Sequence, residues 1–252
     1  MTVRPTLPHS NTSNSRISRK ITLNADAKHI NVRPVIKGAI NEAGHTLADA
    51  YANNPLLSWI VNPLKEESKQ HDIRYLLFKA AVNSASLQSR DFAIQVDGCK
   101  GVCVWSTNQQ QLSFAKILGW KITKMANLSV AMRINMTLQQ FLDKSKKRIM
   151  KTEPHIYINY MGVLPQERNK GLGTALIQYV ISKAEEAHLP IYIIVSDKTS
   201  VPFFEKLGFQ VKEVAHFNDI TSTMLVRPAS TASAPPCQLK LKPGRRDSDD
   251  SL

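Results

Sequence analysis

The sequence predicts an α/β protein of the α+β type, in which helices flank a mixed, mostly antiparallel central sheet of about seven strands. Short runs rich in β-branched and aromatic residues alternate with turn residues or amphipathic stretches along the chain. From His155 onward these runs follow the order strand, helix, strand, helix, strand, which indicates a crossover connection inside the sheet. The chain has 252 residues and 42% hydrophobic content, enough for one substantial core.

The first half of the predicted domain contains a strand, two helices and a β-hairpin. NVRPV is a short strand, and apolar residues recur at helical spacing from Ile40 to Tyr51 until Asn53, Asn54 and Pro55 end the helix. The stretch KEESKQHDIRYLLFKAAVNSASLQS carries an apolar stripe and predicts a second amphipathic helix. DFAIQV and GVCVWS then flank the turn DGCKG, a pattern typical of a hairpin.

Residues 112–148 are helix-prone and rich in methionine. Met125, Met132 and Met136 could line a yielding substrate pocket, because thioethers adapt to irregular shapes, and Met132 is the candidate substrate contact. Ordinary core packing is the alternative for the same stripe.

The chain from residue 155 to residue 227 alternates most regularly. The predicted strands are HIYINYMGV, PIYIIVS, FQVKEV and STMLVR, and the predicted helices are GTALIQYVISKAEEAHL and SVPFFEKLG. Gly208 ends the second of these helices.

The composition divides the chain into residues 1–30, a domain over 31–228, and residues 229–252. The first 24 residues contain no acid and are rich in Ser, Asn, Thr and Arg, which is also the composition of a mitochondrial transit peptide. Apolar residues are too sparse there for an amphipathic helix, so the pattern favours a disordered tail and a cytoplasmic protein over mitochondrial targeting. The C-terminal stretch, with PASTASAPP and KPGRRDSDDSL, has the composition of a disordered tail too.

The charge and the cysteines limit the partners. The chain carries +13, of which the two ends account for +4 and +1, so the central domain is basic. This excess favours an anionic partner or simply solubilises the surface. The basic ends have no interleaved aromatic residues, which argues against nucleic-acid binding, and no apolar stretch approaches the ~18 residues of a membrane span. Cys99, Cys103 and Cys237 lack CxxC spacing, so neither a metal site nor a disulfide framework is expected.

The stretch VLPQERNKGLGTAL (163–176) places two glycines where a helix begins. A helix N-terminus carries unpaired N–H groups and a partial positive charge, and glycines let that backbone approach a ligand closely. Arg168 and Lys170 add charge, so the turn suits a pyrophosphate. The GxxxxGK[ST] phosphate loop is absent, and the dinucleotide pattern GxGxxG is incomplete.

The pattern that remains is V-x-P-x-x-[RQ]-x-x-G-x-[GA], filled by Val163, Pro165, Arg168, Gly171 and Gly173. Here the chain resembles the GNAT superfamily of acyl-CoA-dependent N-acetyltransferases, and SVPFFEKLGF resembles the family's late helix and following strand. EPHIYINYMGVLPQERNKGLGTALI, with the long insert before it, is similar to puromycin N-acetyltransferase-like members. The resemblance implies a GNAT-like fold with a splayed central strand pair and acetyl-CoA as co-substrate.

The resemblance also implies how acetyl-CoA is held. The backbone of Met161, Gly162 and Val163 would pair with the pantetheine arm, and amides of the following turn would wrap the pyrophosphate. The turn residues are Arg168, Asn169, Lys170, Gly171, Leu172, Gly173 and Thr174. Asp197 stands where the family often has Asn beside the CoA arm, or else caps the helix that begins near Thr199.

The catalytic positions depart from the family pattern. Tyr157 stands where members often carry a general-base Glu, and a phenol with a pKa of about 10 is a poor base at neutral pH. It could relay a proton through water with His155, and Asn159 on the same strand face could orient the substrate. Phe204 replaces the Tyr that commonly protonates the departing sulfur, so water, Ser200 or unassisted departure of the thiolate must take its place.

The sequence therefore predicts an acetyl-CoA-dependent N-acetyltransferase that moves the acetyl group to a primary amine of a small molecule, by direct attack in a ternary complex. The predicted partners are acetyl-CoA and the amine, with no membrane, no metal, and a monomeric or homodimeric state. Acetylation of a protein or peptide amine is one alternative. It predicts an open acidic groove, which the basic excess of the domain does not favour. A CoA-binding sensor or scaffold with weak or no catalysis is the other, and Phe204 supports it.

Overall fold

A computed structural model describes residues 30–108, 130, 132–133, 138–230, 239 and 241–244 of the chain. Its centre is a seven-stranded mixed sheet in the order β1-β2-β3-β4-β5-β7-β6. The strands are β1 (Val32–Pro34), β2 (Ala93–Val96), β3 (Gly101–Thr107), β4 (Ile156–Val163), β5 (Ile191–Val195), β6 (Gln210–Phe217) and β7 (Ile220–Arg227). Only β4 and β5 run parallel among these neighbours, so the predicted fold class is confirmed.

Six α-helices lie within the described residues: α1 (Ile40–Ala50), α2 (Pro55–Val61), α3 (Glu67–Gln88), α4 (Gln139–Met150), α5 (Leu172–Ala187) and α6 (Val201–Glu205). The sequence prediction missed α2. Asn54 accepts from the backbone N–H groups of Leu56 and Leu57, both at 3.1 Å, and Pro55 is the first helical residue. The residues that end α1 therefore also begin α2, because Asn and Pro suit a helix start as well as a stop.

The predicted Met-rich helix is described in part: Val130 and Met132 are helical, and so is its last section. α4 covers residues 139–150, whereas residues 109–129, 131 and 134–137 are outside the description. The predictions for Met125 and Met136 fall on those residues.

The sheet opens between β4 and β5. The two strands pair only from Ile156 to Ile158 against Ile191 to Ile193. On the other side of β4, Val104 pairs with Tyr160 and Trp105 with Ile158, which leaves Asn159 as the extra residue of a β-bulge. A bulge bends and twists its strand, so β4 turns away from β5 from residue 159 onward.

Helices cover both faces of the sheet. A Cβ added at Gly162 would meet Ala50 of α1 at 2.6 Å, whereas one at Gly101 would meet Leu176 of α5 at 3.2 Å. Gly101 pairs with Val163, the neighbour of Gly162, and neighbours along a strand face opposite sides. The two helices therefore pack on opposite faces, and the core between the layers includes the fully buried Trp105, Phe78 and Phe92.

The described C-terminal residues lie against the domain. Pro243 forms an isolated bridge with Ser89, and the backbone N–H of Lys242 donates to the buried carboxylate of Asp91 at 3.0 Å. Leu239 and Leu241 pack against the main core. These contacts involve part of the predicted tail 229–252, so the domain bounds 31–228 stay a prediction.

Within the described ranges, no helix has the length and apolarity to cross a membrane. The same ranges hold no cluster of three or more His, Cys, Asp or Glu side chains placed to bind a metal ion.

Candidate functional site

The opening of the sheet forms a cleft of about 870 Å³. Its walls come from the end of α1 and the start of α2, from α4, and from the diverging halves of β4 and β5. The turn before α5 closes one end, and the segment from Asp197 to Phe204 closes the side next to β5. The glycine turn of the motif and the strand that carries Tyr157 and Asn159, β4, thus line the same cavity.

The turn before α5 presents unpaired backbone donors. Gly171 is the N-cap with φ of 81°, a left-handed conformation that favours glycine, and no side chain caps the helix. The first backbone bond of the helix runs from the N–H of Ala175 to the carbonyl of Gly171, so the N–H groups of Leu172, Gly173 and Thr174 precede the ladder. With no acid in the first turn of α5, the turn attracts an anion.

Gly173 has a different reason to be glycine. A Cβ there would meet Phe203 at 3.5 Å and Val163 at 3.8 Å, which are ordinary contacts, and its φ is not left-handed. Packing inside the protein therefore does not require a glycine. Gly173 lines the cleft beside these backbone donors, so the residues present fit the diphosphate of CoA.

The two predicted cations of the turn differ. The guanidinium of Arg168 lines the cleft and donates to the carbonyl of Ala50 at 3.2 Å, which ties the turn to the end of α1. Lys170 pairs with Glu167 at 2.9 Å and does not line the cleft. The other predicted cofactor contacts all line it: Met161, Gly162, Val163, Arg168, Asn169, Gly171, Leu172, Gly173, Thr174 and Asp197.

Asp197 caps the 3₁₀ turn Lys198–Ser200, which was the alternative role given to it. Its carboxylate accepts from the backbone N–H of Thr199 at 3.0 Å, from the Thr199 hydroxyl at 2.7 Å and from the Ser200 hydroxyl at 3.1 Å. Partial burial raises the pKa of Asp197, but these hydrogen bonds outweigh it and leave the pKa below its usual range. The Ser200 hydroxyl is thus already engaged, which weakens it as a substitute proton donor.

Tyr157 lines the cleft beneath α4. The Nζ atom of Lys146 lies 5.5 Å above its ring, and the ring of Tyr192 lies 5.5 Å away on β5. Burial raises the pKa of the Tyr157 phenol well above its ordinary value. A phenolate base is therefore even less accessible than the sequence indicated, and a neutral proton relay is the role left to it.

The structure does not bring His155 into the cleft. The side chain is only 3% exposed, and its Nδ1 lies 2.7 Å from the carbonyl oxygen of Glu153. Its ring packs edge-on at 6.3 Å from Tyr192, and burial lowers its pKa. His155 thus lies behind Tyr192, and a relay from Tyr157 would have to pass that ring.

Of the two predicted substrate contacts, the structure places only one in the cleft. Asn159 lines the cleft at the bulge, and its Nδ2 donates to the Ser106 hydroxyl at 2.8 Å. Met132 is 49% exposed and does not line the cleft. The methionine pattern alone could not distinguish a pocket wall from a surface position.

Phe204 is buried in the cleft wall. It packs edge-on against Phe203 at 5.1 Å and against Phe209 at 5.4 Å. The position that supplies a hydroxyl in the family pattern therefore presents an aromatic hydrocarbon surface here.

Sequence reasoning missed two groups that line the cleft. Tyr51, just after α1, accepts a hydrogen bond from the backbone N–H of Met161 at 3.2 Å. Lys146 of α4 pairs with Asp143 at 3.6 Å, and burial lowers its pKa. Tyr51 fitted the apolar stripe of α1 as core, and its link to Met161, 110 residues away, has no local signal.

Comparison with known sequences agrees with the motif. The profile of the acetyltransferase (GNAT) family matches residues 133–209, which contain α4, β4, α5, β5 and α6. An uncharacterized N-acetyltransferase of Schizosaccharomyces pombe is 22% identical over 178 residues, which are 67% of this chain and 69% of that protein.

Solved structures share the fold at low identity. A Corynebacterium glutamicum protein described as histone acetyltransferase HPA2 and related acetyltransferase superposes with a TM-score of 0.54 at 15% identity, over 81% of this chain and 98% of that one. The Drosophila melanogaster polyamine N-acetyltransferase gives 0.52 at 16% identity, over 78% and 98%. A putative arylalkylamine N-acetyltransferase of Aedes aegypti gives 0.54 at 11% identity, over 78% and 86%. At these identities the likeness shows the acyltransferase fold.

Proposed function

We propose that this chain, a GNAT-type acetyl-CoA-dependent N-acetyltransferase, moves the acetyl group to a primary amine of a small molecule by direct attack in a ternary complex. The observation that carries the proposal is the continuity of the cleft. One cavity runs from the uncapped start of α5, along the edge of β4 that β5 leaves unpaired, to Tyr157 and α4.

The chain's own groups supply positioning more than proton transfer. Donors at the start of α5, with Arg168, hold the diphosphate, and the edge of β4 that β5 leaves unpaired aligns the pantetheine arm. The thioester then supplies the acetyl group to an amine that enters between α2 and α4. Tyr157, kept neutral by burial, relays the amine's proton through water.

The CoA thiolate can depart without a tyrosine at residue 204 to protonate it. A thiol with a pKa of about 8.5 leaves as thiolate at neutral pH at a cost of only ~1–2 kcal/mol relative to protonated departure. The aromatic wall at Phe204 therefore does not prevent turnover.

Several fold neighbours support a small acceptor. Their names describe an agmatine N-acetyltransferase, a polyamine N-acetyltransferase that forms N-acetylagmatine, and arylalkylamine N-acetyltransferases. The resemblance of residues 153–177 to puromycin N-acetyltransferase-like enzymes points the same way, although the comparisons do not single out that subgroup. We infer a small basic or aromatic amine.

A CoA-binding sensor is the second candidate, and Phe204 with the engaged hydroxyl of Ser200 is the observation that favours it. Both candidates require acetyl-CoA to bind. They differ in whether an amine then releases free CoA.

The test combines a thermal shift with thiol release. We expect saturating acetyl-CoA to stabilise the protein by about 2.7 kcal/mol at one hundred times its Kd. A panel of agmatine, tryptamine, puromycin and a lysine-containing peptide should then release free CoA with at least one small amine. Release with the peptide alone would favour a protein acceptor, and stabilisation without release would favour the sensor. An unchanged melting temperature would refute both.

A further inference from the structure

The backbone N–H of Met161 lies on the edge of β4 that faces the opening of the sheet. It does not donate to a neighbouring strand but to the hydroxyl oxygen of Tyr51, at 3.2 Å. Both residues line the cleft. The phenol hydroxyl thus lies directly on the stretch of β4 that the thioester must pass.

Tight packing fixes Tyr51 in this place. It follows the last residue of α1, and its ring contacts Phe78 at 5.1 Å and Tyr160 at 6.3 Å between centroids. α1 reaches β4 so closely because residue 162 is glycine, where a Cβ would lie 2.6 Å from Ala50 and 3.7 Å from the Tyr51 ring. The hydroxyl is therefore a preorganised group rather than a surface side chain that happens to reach in.

The Tyr51 hydroxyl has a proton to donate. Its oxygen accepts from Met161, and the part of the chain that the structure describes offers no acceptor within hydrogen-bonding distance for its own O–H. Burial raises the pKa of the phenol to about 12, so it stays protonated at neutral pH. An accepted hydrogen bond polarises a hydroxyl and makes it a better donor.

We propose that the Tyr51 hydroxyl is a catalytic hydrogen-bond donor to the acyl oxygen of acetyl-CoA, with the Met161 N–H behind it as the second link of the chain. The assignment rests on the proposed acetyl transfer and adds the group that stabilises its transition state. Nothing else in the fold comparison or the motif points to residue 51, which precedes the matched residues 133–209.

The step balances without proton transfer from Tyr51. The neutral amine nitrogen forms a bond to the acyl carbon, and the negative charge that develops on the acyl oxygen is stabilised by the O–H of Tyr51. The carbon–sulfur bond then breaks, its electron pair leaves with sulfur as CoA thiolate, and the extra proton on nitrogen passes to water. Such a weakly acidic phenol donates a hydrogen bond but does not protonate the sulfur. This role therefore differs from that of the tyrosine which the family pattern has at residue 204.

Vibrational spectroscopy tests the contact before any chemistry. Acetyl-CoA labelled with ¹³C at the acyl carbonyl is bound to the full chain without amine, and the carbonyl stretch is compared with that of free acetyl-CoA. We expect a lower frequency in the wild type and a return toward the free value in Tyr51→Phe. Tyr157→Phe, which removes another hydroxyl from the cleft wall, should keep the lowered frequency.

Kinetics gives the second readout. We expect Tyr51→Phe to lower kcat by about 10²-fold, the usual effect of losing one such donor, with the Kd for acetyl-CoA changed less than about threefold. Site-specific replacement of Tyr51 by 3,5-difluorotyrosine keeps the ring and the hydroxyl but strengthens the donor. It should lower the carbonyl frequency further, and it provides the test if Tyr51→Phe does not fold.

The outcomes separate the two proposals. If the Tyr51 variants bind acetyl-CoA tightly and show the same carbonyl frequency as the wild type, the role of Tyr51 is overturned and the proposed function is not. Unchanged kcat with tighter acetyl-CoA binding in Tyr51→Phe also overturns it, because Tyr51 would then merely cover the Met161 amide. No binding of acetyl-CoA by the wild type overturns the proposed function, and the assignment of Tyr51 with it.

Discussion

At the residue scale, the two glycines of the turn before α5 are explained by different constraints. Gly171 is required by its own backbone, since φ of 81° is strained for a residue with a side chain. Gly173 is not required by the backbone or by the packing around it. The proposed binding of the CoA diphosphate beside the helix donors would give this glycine its reason.

Thr174, in the first turn of α5, allows helix stability to be separated from anion binding. An Asp in the first turn of a helix stabilises it by about 0.3–1 kcal/mol through the dipole, so Thr174→Asp should keep or slightly raise the melting temperature of the free protein. The same carboxylate should repel the CoA diphosphate and weaken acetyl-CoA binding by tenfold or more. Calorimetric titration and thermal unfolding measure the two effects.

Thr174→Asn is the matched control, because it has the same shape without the charge. We expect it to bind acetyl-CoA within about threefold of the wild type, since it retains the N-terminal dipole of α5. Equal affinities for the Asp and Asn variants would place the diphosphate elsewhere.

At the scale of elements, the site depends on how α1 crosses β4. The bulge at Asn159 turns β4 away from β5, and Gly162 lets α1 approach the far half of the same strand. The first feature opens the cleft and the second brings the end of α1, with Tyr51, to its edge. Arg168 then ties the turn before α5 to that end through the carbonyl of Ala50.

Gly162→Ala should disturb both stability and activity. The new methyl would lie 2.6 Å from the Cβ of Ala50, and overpacking of this kind typically costs about 1–3 kcal/mol. We expect a lower urea midpoint, and a lower kcat because α1 and Tyr51 must shift.

Ala50→Gly in the same chain removes the atom that clashes. The single Ala50→Gly change should itself cost up to about 1 kcal/mol, as glycine does in a helix. The double variant should nevertheless be more stable than the sum of the single effects predicts, and it should recover activity. Simple additivity would mean that the approach of α1 is not limited at this contact.

At the scale of the whole molecule, the C-terminal segment bears on where the domain ends. Asp91 is fully buried, accepts from the Tyr179 hydroxyl at 2.8 Å and from the Lys242 N–H at 3.0 Å, and lies 3.5 Å from the Lys242 ammonium. The Ser89 hydroxyl donates to the carbonyl of Lys242 at 2.7 Å. These bonds satisfy a buried carboxylate from a part of the chain that composition assigns to a tail.

Truncation tests whether this segment belongs to the folded unit. A chain ending at residue 230 should lose about 1–3 kcal/mol of unfolding free energy, because Asp91 stays buried with fewer partners. A chain ending at residue 244 keeps these contacts and should unfold like the wild type in urea. Equal stability of both truncations and the full chain would support the domain bounds 31–228 drawn from composition.

Local patterns were sufficient for most of the helices and strands and for the glycine turn before α5. Alternating and helical periodicity found the seven strands and the main helices, and the spacing from Val163 to Gly173 predicted an anion site at the start of α5, because both depend on neighbours in the chain. The same reasoning missed that Asn54 also begins α2, since an Asn-Pro pair is equally compatible with the end of one helix and the start of another. It could not tell whether Met132 lies in the cleft or on the surface, because a methionine stripe does not reveal which face of the helix packs against the rest of the protein.

The sequence by itself determined the fold class, the cofactor motif and the absence of the usual hydroxyl at Phe204, since each is written in consecutive residues. Only the tertiary structure decided which side chains share the cleft. The bulge at Asn159 and the missing Cβ at Gly162 bring Tyr51 to Met161 and leave His155 behind Tyr192. Contacts between residues far apart in the chain depend on how helices pack on the sheet, and no local pattern encodes that packing.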